Sequence, residues 1–222
     1  MKIKAFTLAE ILITLAIIGI VSALTIPTLM ENYQKKVYIT TLHKTYNDIN
    51  QALQRFMSDK NTEDLMEAGM RNQAAINSFI ENYLKYNKVC TSTMSGCMAA
   101  TTDYYKMSNA NIPSSTFANT QSYILASGAT IRPYYYKSGD KLINFLVDTN
   151  GVKKPNTLGR DLFILGVYRN GLIDDFKDAN SQAPMSSADR ESVYNSQCLG
   201  GSNTSIWGCF GKILNDNWQM KY

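Results

Sequence analysis

The chain has 222 residues, of which 45% are hydrophobic and 18% charged, and its formal net charge is +4. This length leaves room for one globular domain of ordinary size beside a membrane-spanning segment. Lysines and arginines are scattered along the sequence rather than clustered, which argues against a dedicated nucleic-acid surface, and no specific nucleic-acid partner is expected.

The first element of the chain is an apolar run without any charge. It extends from Ile11 to Ile26, and one carboxylate, Glu10, directly precedes it. Ahead of both lies a short leader, residues 1–5, which contains two lysines. A carboxylate at the centre of the bilayer costs roughly 2.5–3.5 kcal/mol on insertion scales, so an acid within or beside a spanning run indicates a function. The lysines predict a cytoplasmic leader and an exported remainder, by the positive-inside rule.

This arrangement resembles the N-terminus of type IV pilins and of the pseudopilins of type II secretion. In that family a short basic leader ending in Gly or Ala is cut before Phe or Met, and Glu is the fifth mature residue. The resemblance implies that a prepilin peptidase cuts between Ala5 and Phe6 and that Phe6 is N-methylated. Glu10 then stands at the required position, and Pro27 lies where the family usually carries a helix-kinking proline. Ala5 departs from the commoner Gly.

The resemblance also implies a structural subunit of a pilus or pseudopilus rather than an enzyme. Glu10 would neutralise the free amine of Phe6 on a neighbouring subunit, and two opposite charges desolvated together can set the register of assembly. The expected partners are other pilin or pseudopilin subunits, prepilin peptidase, an inner-membrane assembly platform and membrane lipid. The expected location is the inner membrane, as a single-pass protein with an extracytoplasmic head, and then an extracellular or periplasmic filament.

Three other interpretations of the apolar run compete with this one. A secretory signal peptide would be cut after residues 21–23, but the acid ahead of the run and the long amphipathic stretch after it argue against that. An uncleaved anchor would hold a binding or sensor module that never polymerises, which is the main functional alternative. A buried core helix is disfavoured because soluble cores rarely contain so long an apolar run.

A second helical pattern follows Pro27. Apolar residues recur at spacings of three and four from Tyr38 to Phe56, and polar residues occupy the other faces. Together with the apolar run they predict one helix over Phe6–Ser58, roughly 80 Å long at 1.5 Å per residue. Pro27 lacks a backbone donor and is expected to bend or loosen it. The predicted organisation is a leader (1–5), a transmembrane and assembly helix (6–30), its amphipathic continuation (31–58) and an extracytoplasmic head (59–222).

The pattern in the head changes from helical to extended. Apolar residues between Ile76 and Leu84 predict a short second helix. From Ser122 onward, a period near two and glycine-containing turns predict strands. The expected fold is α+β, with the long N-terminal helix packed on an antiparallel β-meander, which is also the pilin-like roll that the resemblance implies. The predicted strands are Tyr123–Ala126, Ala129–Tyr136, Leu142–Val147 and Asp161–Tyr168, and the predicted surface loops are Ser108–Thr120 and Ser181–Ser192.

Four cysteines in an exported domain favour two disulfides, whereas the same number in a cytosolic protein would suggest metal. Four cysteines allow three pairings, and the sequence alone leaves them open. We favour Cys90–Cys97 and Cys198–Cys209 because each pair flanks a short loop. Trp207 is the large apolar residue that could pin the second loop on the head. By resemblance, this loop is the disulfide-bounded region of many pilin heads, where partner contacts are expected.

Acidic and amide side chains are dense in the segment that begins at Asp148. The oxygens of Asp148, Asn150, Asn156 and Asp161 could surround a Ca²⁺ ion, and some pseudopilin heads have a calcium loop. The spacing is not that of an EF-hand. The competing interpretation is a turn-rich hairpin, because Asn-Gly and Pro-Asn supply turn geometry. No other cofactor is expected, since the single histidine, His43, has no nearby partners on its helix for catalysis or for zinc.

Overall fold

The structure is a computed structural model that describes residues 7–91, 94–200 and 205–222. The chain divides into two units, Met1–Val37 and Tyr38–Tyr222. Helix α1 (Leu8–Asp59) contributes residues to both units. Its bounds agree with the predicted helix to within about two residues at each end, the accuracy with which helix ends can be assigned.

In the second unit α1 buries one face. Leu42, Ile49 and Leu53 are fully buried, so most of the apolar stripe predicted from the spacing lies in the core. The helix ends in a Schellman motif, in which the N–H of Thr62 donates to the carbonyl of Met57 (3.1 Å). Asn61 takes the left-handed conformation that this motif requires, with φ of 51°. The polar stretch after α1 therefore ends the helix sharply.

In the described part of the chain, six strands form one antiparallel sheet in chain order, as expected for a meander. Helix α2 (Gln73–Tyr83) precedes the sheet, and the side chain of Asn72 caps it by accepting from the N–H of Ala75. The fold class is therefore α+β, with the long N-terminal helix packed on an open antiparallel sheet. The strands are β1 (Tyr86–Cys90), β2 (Ser122–Leu125), β3 (Thr130–Ser138), β4 (Lys141–Asp148), β5 (Leu162–Tyr168) and β6 (Ile173–Asp174).

The centre of the sheet is covered on both faces. Every residue of β4 and of β5 is buried, so these strands lack the exposed alternate positions of a one-sided sheet. Part of the chain between β1 and β2, from residue 94 onward, packs against β3 and β4. There the hydroxyl of Thr130 donates to the carbonyl of Cys97 (2.9 Å), and that of Tyr104 donates to Asp148 (2.5 Å).

The C-terminal part of the chain contains two short helices, α3 (Ser187–Val193) and α4 (Cys209–Asn215), with a π-helical turn after α3. The prediction of a surface loop over Ser181–Ser192 was therefore wrong in its second half. The cap explains why: Ser186 accepts from the N–H of Asp189 (3.0 Å), and its hydroxyl donates to the Asp189 carboxylate (2.8 Å). A short polar sequence thus forms a stable first turn.

Candidate functional site

The first unit presents a long surface of mainly apolar side chains. Every residue from Leu8 to Met30 except Ser22 is exposed, including Leu24 (72%) and Leu29 (73%). By length and composition α1 can cross a membrane. A surface of this size on a chain in water would aggregate, so it requires lipid or other apolar helices around it.

Glu10 lies in a capping box at the start of α1. Its carboxylate accepts from the backbone N–H of Thr7 (2.8 Å) and from the Thr7 hydroxyl (2.9 Å), while the N–H of Glu10 donates to that hydroxyl (3.2 Å). These reciprocal bonds satisfy two backbone donors that the first turn would otherwise leave open. Ala5 and Phe6 lie outside the described residues, so cleavage between them and methylation of Phe6 stay predictions.

Two features of the apolar segment bear on helix packing. Pro27 lies inside α1, which continues on both sides of it. A Cβ placed on Gly19 would meet no atom within 4 Å, so the helix surface at this position is open to an approaching helix. Small residues of this kind allow apolar helices to approach one another closely in lipid.

The four cysteines form two disulfides. Cys90 is bonded to Cys97, and Cys198 to Cys209, with sequence separations of 7 and 11 residues. The first disulfide closes the chain just after β1, at the edge of the sheet. The second closes a loop that joins the π-helical turn to α4.

A buried carboxylate holds the end of the second disulfide loop. Asp175, directly after β6, accepts from the N–H groups of Gly208 (2.9 Å) and Gly211 (2.6 Å), so it caps the N-terminus of α4 across the fold. Burial raises the pKa of Asp175 to about 6, against the effect of these hydrogen bonds. Gly208 has φ of 96°, and a Cβ there would lie 2.6 Å from the carbonyl oxygen of Val193. Glycine is therefore required at this position.

The same loop is also held through Trp207. The ring of Trp207 lies beside that of Phe176, with 5.3 Å between their centroids. The Nζ of Lys141 lies 4.6 Å from the centroid of Phe176 and 5.3 Å from that of Trp207. Lys141 is fully buried and donates to the side-chain oxygen of Asn144 (2.6 Å). Burial lowers its pKa to about 7. These contacts fix Trp207 against the sheet, as expected for a residue that holds the disulfide loop on the head.

Of the four predicted calcium ligands, Asp148 is the last residue of β4 and the other three lie between β4 and β5. The two carboxylates already accept hydrogen bonds. Asp148 accepts from the N–H groups of Asn150 (3.1 Å) and Gly151 (2.7 Å), besides the Tyr104 hydroxyl. Asp161 accepts from the N–H of Asn156 (2.8 Å). Burial raises the pKa of Asp148 to about 7, and the charge of Asp161 adds to the effect. The carboxylates thus organise two turns.

The two asparagine side chains of this cluster differ from the carboxylates in their hydrogen bonding. The side-chain oxygens of Asn150 and Asn156 are buried and have no hydrogen-bond partner among the described residues. Within residues 7–91, 94–200 and 205–222, no group of three or more His, Cys, Asp or Glu side chains is arranged to hold a metal. A Ca²⁺ ion here would therefore depend on the amide oxygens as well as on Asp148 and Asp161, a donor set that suits calcium.

His43 is half-buried and packs on the C-terminal tail. Its ring stacks on that of Trp218 with 4.1 Å between centroids, and Tyr46 contacts Trp218 edge-on at 5.1 Å. The tail continues to Tyr222, whose hydroxyl donates to the carbonyl of Gly159 (2.9 Å). These contacts give His43 a packing role between α1 and the tail.

Sequence reasoning missed several of these residues. Thr7 carried a visible signal, because Thr-x-x-Glu before an apolar run is the capping-box pattern. Lys141 and Asp175 carried none, since their partners Trp207 and Gly208 lie far away in the sequence. Such pairs become visible only when the sheet brings the C-terminal helices to β4 and β6.

The comparisons with known proteins concern the N-terminus. The family described as the prokaryotic N-terminal methylation motif matches residues 1–26. No curated protein and no solved structure matches the chain. The matched segment contains Glu10 and ends inside the apolar surface of α1, so motif and structure point to the same part of the chain. The chain carries the N-terminal methylation motif that is the signature of type IV pilins and pseudopilins.

Proposed function

We propose that this chain is a prepilin-like subunit of a type IV pilus or a type II secretion pseudopilus. In this proposal a prepilin peptidase cuts between Ala5 and Phe6 on the cytoplasmic side, and Phe6 is methylated. The apolar helix stays attached and anchors the head outside the membrane. Assembly then buries the helices of many subunits against one another, with help from an inner-membrane platform. The subunit is a structural protein and a substrate of processing enzymes, with no catalytic role of its own.

The observation that carries the proposal is the methylation motif at the start of a helix whose N-terminal part exposes its apolar side chains. The motif matches residues 1–26, and the exposed surface begins at Leu8 and extends past the end of the motif. A signal peptide is discarded after cleavage, so its removal would leave no anchor. Cleavage ahead of the apolar run instead keeps an apolar helix on the mature chain, which is what assembly within lipid needs.

The mature N-terminus tests this proposal directly. Intact mass and N-terminal sequencing of chain purified from membranes should show a start at Phe6 with one added methyl group. A start after Ala23 would show a secreted protein released by signal peptidase. An intact Met1 would show an unprocessed anchor and would overturn the proposal.

Processing does not by itself demonstrate assembly, so a second measurement is needed. Shearing cells and collecting filaments should recover the mature chain in the filament fraction. A processed chain that stays monomeric in the membrane would instead support the anchored binding or sensor module. Filament recovery thus separates the two functions whatever the outcome of the mass measurement.

We also propose that the turns between β4 and β5 bind Ca²⁺. The support is the pair of buried amide oxygens, on Asn150 and Asn156, that lack hydrogen-bond partners in the described part of the chain. The ion would be held by these oxygens together with Asp148 and Asp161, and it would offset the mutual repulsion of the two carboxylates. Calcium should raise the melting temperature relative to excess EDTA in the native chain and not in Asn156→Ala. Equal melting temperatures with calcium and with EDTA would overturn this proposal.

A further inference from the structure

A groove runs beside one face of α1 in the second unit. It has a volume of about 500 Å³ and lies between α1, the end of α2 and the turn after β2. Its α1 wall consists of Lys44, Asp48, Gln51 and Arg55, whose spacings of three and four place them on one stripe of the helix. Lys85 lines the opposite wall. The lining residues thus include three cations and one acid, and we call this the cationic groove.

The positive charges of the cationic groove are available to bind another molecule. Arg55 donates to the carbonyl oxygens of Tyr83 (3.2 Å) and Gln51 (3.4 Å), which hold the guanidinium in place without neutralising its charge. Among the residues that the structure describes, the ammonium groups of Lys44 and Lys85 form no ion pair and no hydrogen bond. A positioned guanidinium flanked by two ammonium groups favours carboxylates.

The loop between α1 and α2 carries the opposite charge. Glu63 and Glu67 are exposed on it, and Asp140 lies in the turn between β3 and β4 nearby. The neighbouring Arg169 is engaged by Asp64, with 2.5 Å between Nη2 and the carboxylate, and this bond raises the pKa of Arg169. Asp140 and Glu67 add to the negative field around it. We call Glu63, Glu67 and Asp140 the acidic edge.

We propose that the cationic groove of one subunit binds the acidic edge of a second copy of this chain. The groove extends from Lys44 to Arg55, roughly 16 Å along the helix at 1.5 Å per residue. The acidic edge follows the C-terminal end of α1 at Asp59. Because the two surfaces are different parts of the head, a contact between them joins copies through unlike surfaces.

A contact of this kind is heterologous, and heterologous contacts that do not close into a ring generate open helical assemblies. The contact rests on the filament subunit proposed above and adds a link between heads to the packing of the apolar helices. Charges at the rim of an interface set orientation and register, and they weaken as salt rises. Charge reversal should therefore disturb the contact far more than neutralisation, because it creates repulsion.

Charge exchange between the two surfaces tests the contact in the full-length chain. The groove variant is Arg55→Glu with Lys85→Glu, and the edge variant is Glu63→Lys with Glu67→Lys. Each alone should lower the yield of sheared filaments about tenfold, because like charges would then face each other between copies. The four substitutions together restore opposite charges and should return the yield to within about twofold of the native chain.

The matched control reverses two exposed lysines outside both surfaces, Lys153→Glu with Lys221→Glu. It makes the same change in net charge as the groove variant and should leave the yield unchanged. All variants are first checked for equal amounts of processed chain in the membrane. Unchanged yield in both reversed variants, or failure of the fourfold variant to recover, would overturn the contact. Absence of filaments from the native chain would instead overturn the proposed function.

Discussion

The carboxylate of Asp174 forms a two-pronged salt bridge with the guanidinium of Arg190, with Nε at 2.8 Å and Nη2 at 2.5 Å. The side chain of Asp174 is 1% exposed and that of Arg190 16%, so the pair is largely removed from water. The bridge joins β6 to α3 and thereby fixes the helix that leads into the C-terminal disulfide loop. Removing one member of such a pair leaves a buried charge without compensation.

Arg190→Met is expected to lower the free energy of unfolding by about 3–5 kcal/mol, because the Asp174 carboxylate would stay buried without its partner. The matched control is Lys177→Met, which breaks an ion pair with Asp189 whose side chains are 44% and 46% exposed. The control should lower the free energy of unfolding far less, because ion pairs between exposed side chains contribute little to stability. Urea unfolding followed by circular dichroism measures both, and equal losses would contradict the burial argument.

The parts of the fold that could be predicted are those whose signal repeats along the chain. The stripe on α1 from Leu42 to Phe56 repeats every three or four residues, and the segments that form β2 to β5 carry β-branched and aromatic residues between glycine-containing turns. Strand β6 has two residues, too few for any period, and β1 is an edge strand whose first three residues are exposed. Helix α3 depends on its cap at Ser186 rather than on an apolar face.

The functional residues, like the parts of the fold, could be predicted only where their pattern is local in the sequence. The N-terminal motif consists of consecutive residues, so cleavage, methylation and the role of Glu10 could be proposed from the sequence. The residues that fix the C-terminal loop act over long separations: Asp175 reaches Gly208, and Lys141 reaches Trp207. Their chemistry depends on burial, which shifts the pKa of Lys141 down and that of Asp175 up. No sequence pattern specifies that burial, because it is set by how the C-terminal helices pack on the sheet.

Glu10 combines a cap seen in the structure with a proposed charge contact to a neighbouring Phe6, and two substitutions separate these roles. Glu10→Gln keeps an acceptor for the capping box and removes the charge, whereas Glu10→Ala removes both. Both variants should insert as well as the native chain or better, because no carboxylate must enter lipid. If the charge directs assembly, both should lose most of the filament yield. Normal filaments from Glu10→Gln would leave Glu10 only its capping role.

The second disulfide should stabilise the head by restricting the unfolded chain. Replacing Cys198 and Cys209 together by serine is expected to lower the free energy of unfolding by roughly 3 kcal/mol in the chain-entropy account. Replacing Cys90 and Cys97 should cost somewhat less, because their loop is shorter. Urea unfolding of both double variants measures the difference. Non-reducing peptide mapping of exported protein is the control, and a Cys90 peptide linked to Cys198 or Cys209 would contradict the pairing.

The buried carboxylate of Asp148 should make the stability of the head depend on pH. Its pKa is raised by burial to about 7 in the folded chain, well above the usual range of an exposed aspartate. Between those values the folded state binds more protons than the unfolded state. The free energy of unfolding therefore falls as pH rises, by up to roughly 4 kcal/mol for one group with this shift.

Asp148→Asn cannot ionise and should lose that part of the pH dependence. Urea unfolding in the presence of EDTA, at about pH 4.5 and about pH 7.5, should show a smaller decline for the variant than for the native chain. The control is Asp103→Asn, which alters an exposed carboxylate and should keep the native profile. EDTA is needed because a bound cation would favour the ionised form and hide the effect. Parallel profiles for the native chain and Asp148→Asn would show that Asp148 ionises in the folded head as readily as in the unfolded chain.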